Sequence, residues 1–276
     1  TLEAMIVPLT LPAILTNQSL TISGNPQVLG TEGDVHSNQN LALTGNPSIA
    51  GDATASDTYS TTGTPVVGGV SGSGFGNIAV PPVRAIDHLS KADFILKSNG
   101  TLTNPAGTVL CDASSNQNAC ATAGYGWRFN GAAGWSIQGS GFAPGTFYVQ
   151  GNASISGSPG SLASPAAISI IAEGWIDISG NPTFMPASPE LLYVTDMDLR
   201  IGGNVLVPFA MEGLILVREQ ISIQGNPTLS GQILVEGAAS VSSLVTANTI
   251  SGNPTISYNG IGGLVGFTVS AWRTVP

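Results

Sequence analysis

Charge is what this chain has least of. Only 8% of its 276 residues are Asp, Glu, Lys or Arg, against roughly 25% in an ordinary soluble domain. The seven cations, Arg84, Lys91, Lys97, Arg128, Arg200, Arg218 and Arg273, are scattered, and the net charge is -9. With no basic patch to neutralise phosphates, nucleic acid is not an expected partner, and anionic membrane surfaces are disfavoured for the same reason. Lys, Glu and Arg normally populate solvent-facing helices, so their scarcity argues against a helical fold. No run of eighteen apolar residues occurs, so no helical span is expected, and membrane attachment would need an anchor absent from this chain. Histidine is nearly missing too, with only His36 and His88.

Cysteine is limited to Cys111 and Cys120, separated by eight residues drawn from Asp, Ala, Ser, Asn and Gln. Such a segment suits a closed surface loop, so a disulfide is expected, and with it an oxidising, extracellular compartment. Neither histidine lies nearby, so no metal site is expected there.

What the chain does have is a repeat. Gly-Asn-Pro occurs five times, centred on Asn25, Asn46, Asn181, Asn226 and Asn253. Degenerate copies are Gly63-Thr64-Pro65, Gly157-Ser158-Pro159 and Gly202-Gly203-Asn204. Most follow a short alternating run such as Leu20-Thr21-Ile22-Ser23 or Ile176-Asp177-Ile178-Ser179. Alternation points two branched side chains to one face of a strand. Gly adopts φ > 0 freely, Asn tolerates the left-handed region and Pro fixes φ near -65°, so the triplet is a sharp structural corner. One corner every 18 to 27 residues, with two or three short strands between, is the spacing of a solenoid. The expected fold is therefore all-β, a right-handed parallel β-helix with one inserted loop and short-helix excursion; an antiparallel sandwich also uses short strands but does not explain identical corners at coil spacing.

Residues 1–17 are expected to cover one end or to be the tail of a truncated anchor, with the β-helix over 18–276 and the excursion at about 66–148. Within that excursion, residues 86–96 predict the only helix, capped by Asp87. Tyr125, Trp127, Phe129, Trp135, Phe142, Phe147 and Tyr148 predict an aromatic core for it. Phe267–Arg273 predicts the last strand. Open coil edges at both ends predict end-to-end self-association.

The run Asp34-Val35-His36-Ser37-Asn38-Gln39-Asn40-Leu41 leads into Thr44-Gly45-Asn46-Pro47, Ser-Gly-Asn-Pro corners recur, and the chain closes on Val269-Ser270-Ala271-Trp272-Arg273. Over about residues 18–275 this resembles the β-helical ectodomain of PilX-type pilus assembly proteins, related to type IV pilus minor pilins. Two departures stand out: the family's N-terminal apolar helix is absent, and its common Trp-Arg-Glu ending reads Trp272-Arg273-Thr274. The resemblance implies a bacterial cell-surface or filament location, with pilus components or further copies as partners, and it carries no catalytic residue set.

Chemistry would have to come from a polar column. Aligning Ile170–Ile178, Tyr193–Ile201 and Ile215–Ile223 stacks Glu173, Asp196 and Arg218, with Glu236 next and Asp177 beside Arg200. A polysaccharide lyase or hydrolase would use such acids with calcium and Arg218 as base. An exposed ladder of alternating charge explains the same pattern. Asp112, Asn116 and Asn118 lack the spacing of a calcium loop. Thr21, Thr44, Thr62, Thr183, Thr228 and Thr255 do not form the continuous array of an ice-binding face. The expectation is a structural surface-assembly protein with no catalytic residue, metal or cofactor; a carbohydrate-active enzyme or an adhesin or ice-binding module is the alternative.

Overall fold

The computed structural model describes residues 2–139, 141–188, 191–208, 211–241, 244–260 and 265–274, and for Leu2–Thr10 and Val265–Thr274 the backbone alone. It is a parallel β-solenoid of about ten turns. Three sheets of thirteen, ten and five strands form its walls; they are called here the long, ladder and short sheets.

A full coil, such as residues 14–29, runs long sheet, ladder sheet, Gly-Asn-Pro corner, short sheet. Alternation is clear in much of the ladder sheet. In Leu20–Gly24, Leu20 and Ile22 are buried while Thr21 is exposed. The register then stacks like on like: Ile178, Ile201, Ile223, Ile250, Ile22 and Leu43 pair in one inward column. Burying each such side chain contributes about 1.5–3 kcal/mol.

The coils are not stacked in chain order. Strand Ile14–Thr16 lies between Ile233–Val235 and Val35–Ser37 in the long sheet. Leu20–Gly24 lies between Asn248–Gly252 and Leu41–Gly45 in the ladder sheet. Gln27–Leu29 lies between Thr255–Ser257 and Ser48–Ile49 in the short sheet. The chain thus starts in mid-rod, winds outward through residues 14–72, returns along the rod, and winds from the far end back to where it began. The first and last coils meet at a seam. Residues 14–17 therefore do not cover an end: Ile14–Thr16 are built into the wall with both neighbours paired. Phe267–Arg273 do lie in the last strand, Val265–Thr274, but that strand pairs antiparallel with Leu2–Thr10 in a separate two-stranded ribbon rather than joining the solenoid wall.

The excursion also differs from expectation. Val66–Val67 and Ser71–Gly72 still belong to the solenoid. The returning segment, residues 73–93, is a strap whose helix is a 3₁₀ turn, Ala85–Lys91, with Arg84 at its N-cap and Asp87 inside its first turn. A second helical turn, Ala119–Thr122, and a 3₁₀ turn, Gly131–Ala133, follow.

The two ends are unlike. At the far end the antiparallel strands Thr101–Thr103, Val109–Asp112 and Trp127–Phe129 interrupt parallel stacking. Trp127, Trp135 and Phe147 fill the bore, fully buried, with Trp127 and Phe147 rings 5.4 Å apart. Ala119–Thr122 packs over this plug, and Cys120 within it is disulfide-bonded to Cys111, with Cα atoms 5.3 Å apart. At the near end, Tyr59–Gly63, Val66–Val67 and Ser71–Gly72 are each the outermost strand of their sheet.

Candidate functional site: the strapped face of the long sheet

The long sheet is buried on both faces, which is why Leu191–Thr195, Leu214–Val217 and Ile233–Val235 read as unbroken apolar runs. Tyr193, Ile215, Ile233 and Ile14 point into the bore. The alternate residues form an outward column in register: Ile95, Tyr148, Ile171, Val194, Leu216, Leu234, Leu15, His36 and Thr54. The strap covers this column. Val83, Ala85 and Ala92 are buried against Tyr148, Ile171, Val194, Leu216 and Leu234, a second core outside the bore.

The predicted charge column sits beside this core. Glu173, Asp196, Arg218 and Glu236 each follow a strand residue paired with the next, namely Ala172, Thr195, Val217 and Val235. Thr16 and Ser37 continue the register, so Asn17 and Asn38 extend the column. It is a rail that holds the strap. Asn38 Oδ1 accepts the Ile78 N–H at 2.8 Å, and Asn38 Nδ2 donates to the Ile78 carbonyl at 2.7 Å. Glu236 Oε2 accepts the Val83 N–H and Asp196 Oδ1 the Ala85 N–H, both at 2.7 Å. Glu173 Oε1 accepts from the Tyr148 hydroxyl at 2.7 Å. Burial beneath the strap raises the pKa of Asp196, against the Ala85 N–H and the Arg218 charge, which lower it.

The same device recurs. Asp34, Asp52, Asp93, Asp198, Glu212 and Glu219 also accept backbone N–H groups. In the adjacent column Arg200 pairs with Asp177, its Nε 2.8 Å from Asp177 Oδ1. Many of the acids of this chain thus accept orphaned backbone amides, a role that needs no basic partner surface.

At the near end the outward column turns polar. His36 is buried; its Nε2 lies 3.0 Å from Asn38 Oδ1 and its Nδ1 2.8 Å from Thr54 Oγ1. Asn38 Oδ1 can only accept, so Nε2 carries the hydrogen and Thr54 donates to Nδ1. Burial lowers the His36 pKa, keeping the neutral form, while Asn38 opposes. Asp34, Asp52 and Phe75 line a cavity of about 240 Å³ beside it.

The Gly-Asn-Pro corners align down one edge. Asn Nδ2 donates to the next Asn Oδ1 from Asn46 to Asn25 (3.1 Å), Asn25 to Asn253 (3.0 Å), Asn253 to Asn226 (3.0 Å), Asn226 to Asn204 (3.2 Å) and Asn204 to Asn181 (2.8 Å). The ladder crosses the seam without a break. Two of the three degenerate copies lie on it as well: Asn204 is a rung, and Thr64 donates to Asn46.

The remaining candidates do not converge. Asp112 and Asn116 cap local turns through the N–H groups of Ser114 and Asn118, and no group of three His, Cys, Asp or Glu residues meets among the described residues. Thr21, Thr44 and Thr62 lie on the ladder sheet, whereas Thr228 and Thr255 lie on the short sheet. The aromatic cluster is core. The strap was missed in the sequence, although the non-alternating strands were its signal.

No family model matches the chain, and no curated protein matches it. Among solved structures, the competence-associated pilin ComZ from Thermus thermophilus is similar at 11% identity and a TM-score of 0.39, over 99% of this chain and 77% of that one. At that distance the likeness carries no argument about what this chain does.

Proposed function

We propose that this chain is an extracellular, non-catalytic surface-assembly module, a rod displayed by a type IV pilus or a related filament in the manner of the PilX-type proteins it resembles in sequence. The observation that carries this reading is the ribbon. Leu2–Thr10 and Val265–Thr274 pair over their whole lengths. The chain enters the solenoid beside Gln232, whose Nε2 donates to the Leu11 and Pro12 carbonyls, and leaves it at Tyr258, whose N–H donates to the Leu29 carbonyl. Both connections lie at the seam, so a two-stranded ribbon about 30 Å long meets the rod partway along its length rather than at an end. A single side attachment of this kind supports a reading as a displayed module. The disulfide supports an oxidising compartment. The engagement of Asp196 and Glu236 by strap amides supports a structural role for the acids a lyase would need.

Immunogold electron microscopy and fractionation of the native protein test this. Label on the cell surface or along filaments, released by shearing, is the expected result. Protein confined to the cytoplasm overturns the location, and depolymerisation of an acidic glycan lost on Arg218→Ala overturns the non-catalytic role.

A further inference from the structure

We infer that the near end of the rod is a self-association surface on which a second copy of this chain docks, open end to open end, about a twofold axis. The three sheets stop together at one coil, with Tyr59–Gly63, Val66–Val67 and Ser71–Gly72 outermost. In a parallel strand alternate residues direct both N–H and C=O to the same side. The Leu41 N–H donates to Thr58 and the Thr64 N–H to Gly45, so residues 58, 60, 62 and 64 face inward along the rod. Tyr59, Thr61 and Gly63 therefore aim their backbone groups off the end. By the same alternation Val67 does so too, since Val66 and Gly68 donate to Pro47 and Ile49.

Natural edges of this kind are blunted by lysines and inward-pointing charges. This one has neither: residues 58–83 contain no charged side chain, in a protein of net charge -9. Its rim instead carries Val66 and Val70, 62% and 56% exposed. Thr61, whose register partner is the buried Leu43, is itself exposed at the mouth of the bore.

A single foreign strand could pair with one of these edges. Three edges ending at one coil fit another coil, whereas the far end closes on the antiparallel strands Val109–Asp112 and Trp127–Phe129, with the short sheet ending earlier at Thr228–Ser230. What remains is the same end of a second copy. A twofold axis through Thr61 sets Tyr59–Gly63 antiparallel to itself and Val66–Val67 against the copy's Ser71–Gly72. Such an interface is isologous and closes at two copies rather than growing into a fibre. The absence of charge from residues 58–83 lessens the repulsion that two acidic proteins would otherwise meet, with exposed Asp57, just ahead of the edge strand, the nearest charge.

The twofold brings the two Thr61 Cα atoms to about 5.5 Å, inside the range for a disulfide. The chain's own cysteines are already paired with each other. Oxidised Thr61→Cys is expected to give a covalent dimer, while Thr62→Cys, which faces outward one residue along, is expected to give none. In sedimentation, Thr61→Lys is expected to raise the dimer dissociation constant at least about tenfold with its circular dichroism unchanged. Wild-type protein that stays monomeric at every concentration reached, equal cross-linking by both cysteine variants, or assembly beyond two copies would each overturn the inference.

Discussion

At the corner glycines two separate constraints coincide. Gly225 has φ +86°, a conformation L side chains rarely adopt, and a Cβ built there would lie 2.7 Å from the Gly203 carbonyl oxygen of the neighbouring coil. Gly24 meets Gly252 in the same way at 2.6 Å across the seam. Gly74 has the same sign of φ, +82°, but nothing within 4 Å of its Cβ position. The pair separates torsional strain from close approach. Gly74→Ala is expected to cost about 1 kcal/mol, from backbone conformation alone. Gly225→Ala is expected to cost about 3 kcal/mol or more, because two coils must also part. Thermal unfolding followed by circular dichroism checks the difference. The Asn beside each glycine adds an exposed hydrogen bond per coil, a smaller term of about 0.5–1.5 kcal/mol. At this scale the sequence was legible, because Gly, Asn and Pro state their backbone preferences locally.

At the scale of elements, the strap shows what local reading loses. Residues 78–83 have no alternation and form no strand; they adopt their course because an apolar column on the long sheet lacks cover and acids in the adjacent column lack donors. Strap and rail are far apart in sequence: 153 residues separate Val83 from Glu236, and 111 separate Ala85 from Asp196. The polar column itself was found correctly from coil alignment, but the question of what faces it depends on a segment that no period describes. The contact makes a definite prediction. Glu236→Ala removes the acceptor of a buried amide, so hydrogen exchange at Val83 should accelerate by about tenfold or more, whereas Glu236→Gln, which keeps a carbonyl oxygen in place, should preserve most of the protection. Equal protection in both variants would show that apolar packing alone holds the strap.

For the whole molecule, coil order is the feature sequence could not supply. Most coils offer similar Ile and Leu columns, the same glycine approach and an Asn rung, so the chemistry that lets coils stack does not say which stacks on which. Residues 14–72 therefore join the coil of 233–257 through all three sheets. Cutting the strap at its exposed turn around Gly74 should leave both fragments together: after insertion of a protease site there and cleavage, they are expected to co-elute in size exclusion and to separate only in denaturant. The seam also sets a clock on biosynthesis. Asn25 waits for Asn253, 228 residues later. At about 5–20 residues per second the newborn amino-terminal coils spend roughly 10–50 s with an unmatched flank before their neighbour is made, so this rod cannot be completed from one terminus as it is translated and must be closed at its waist, last of all.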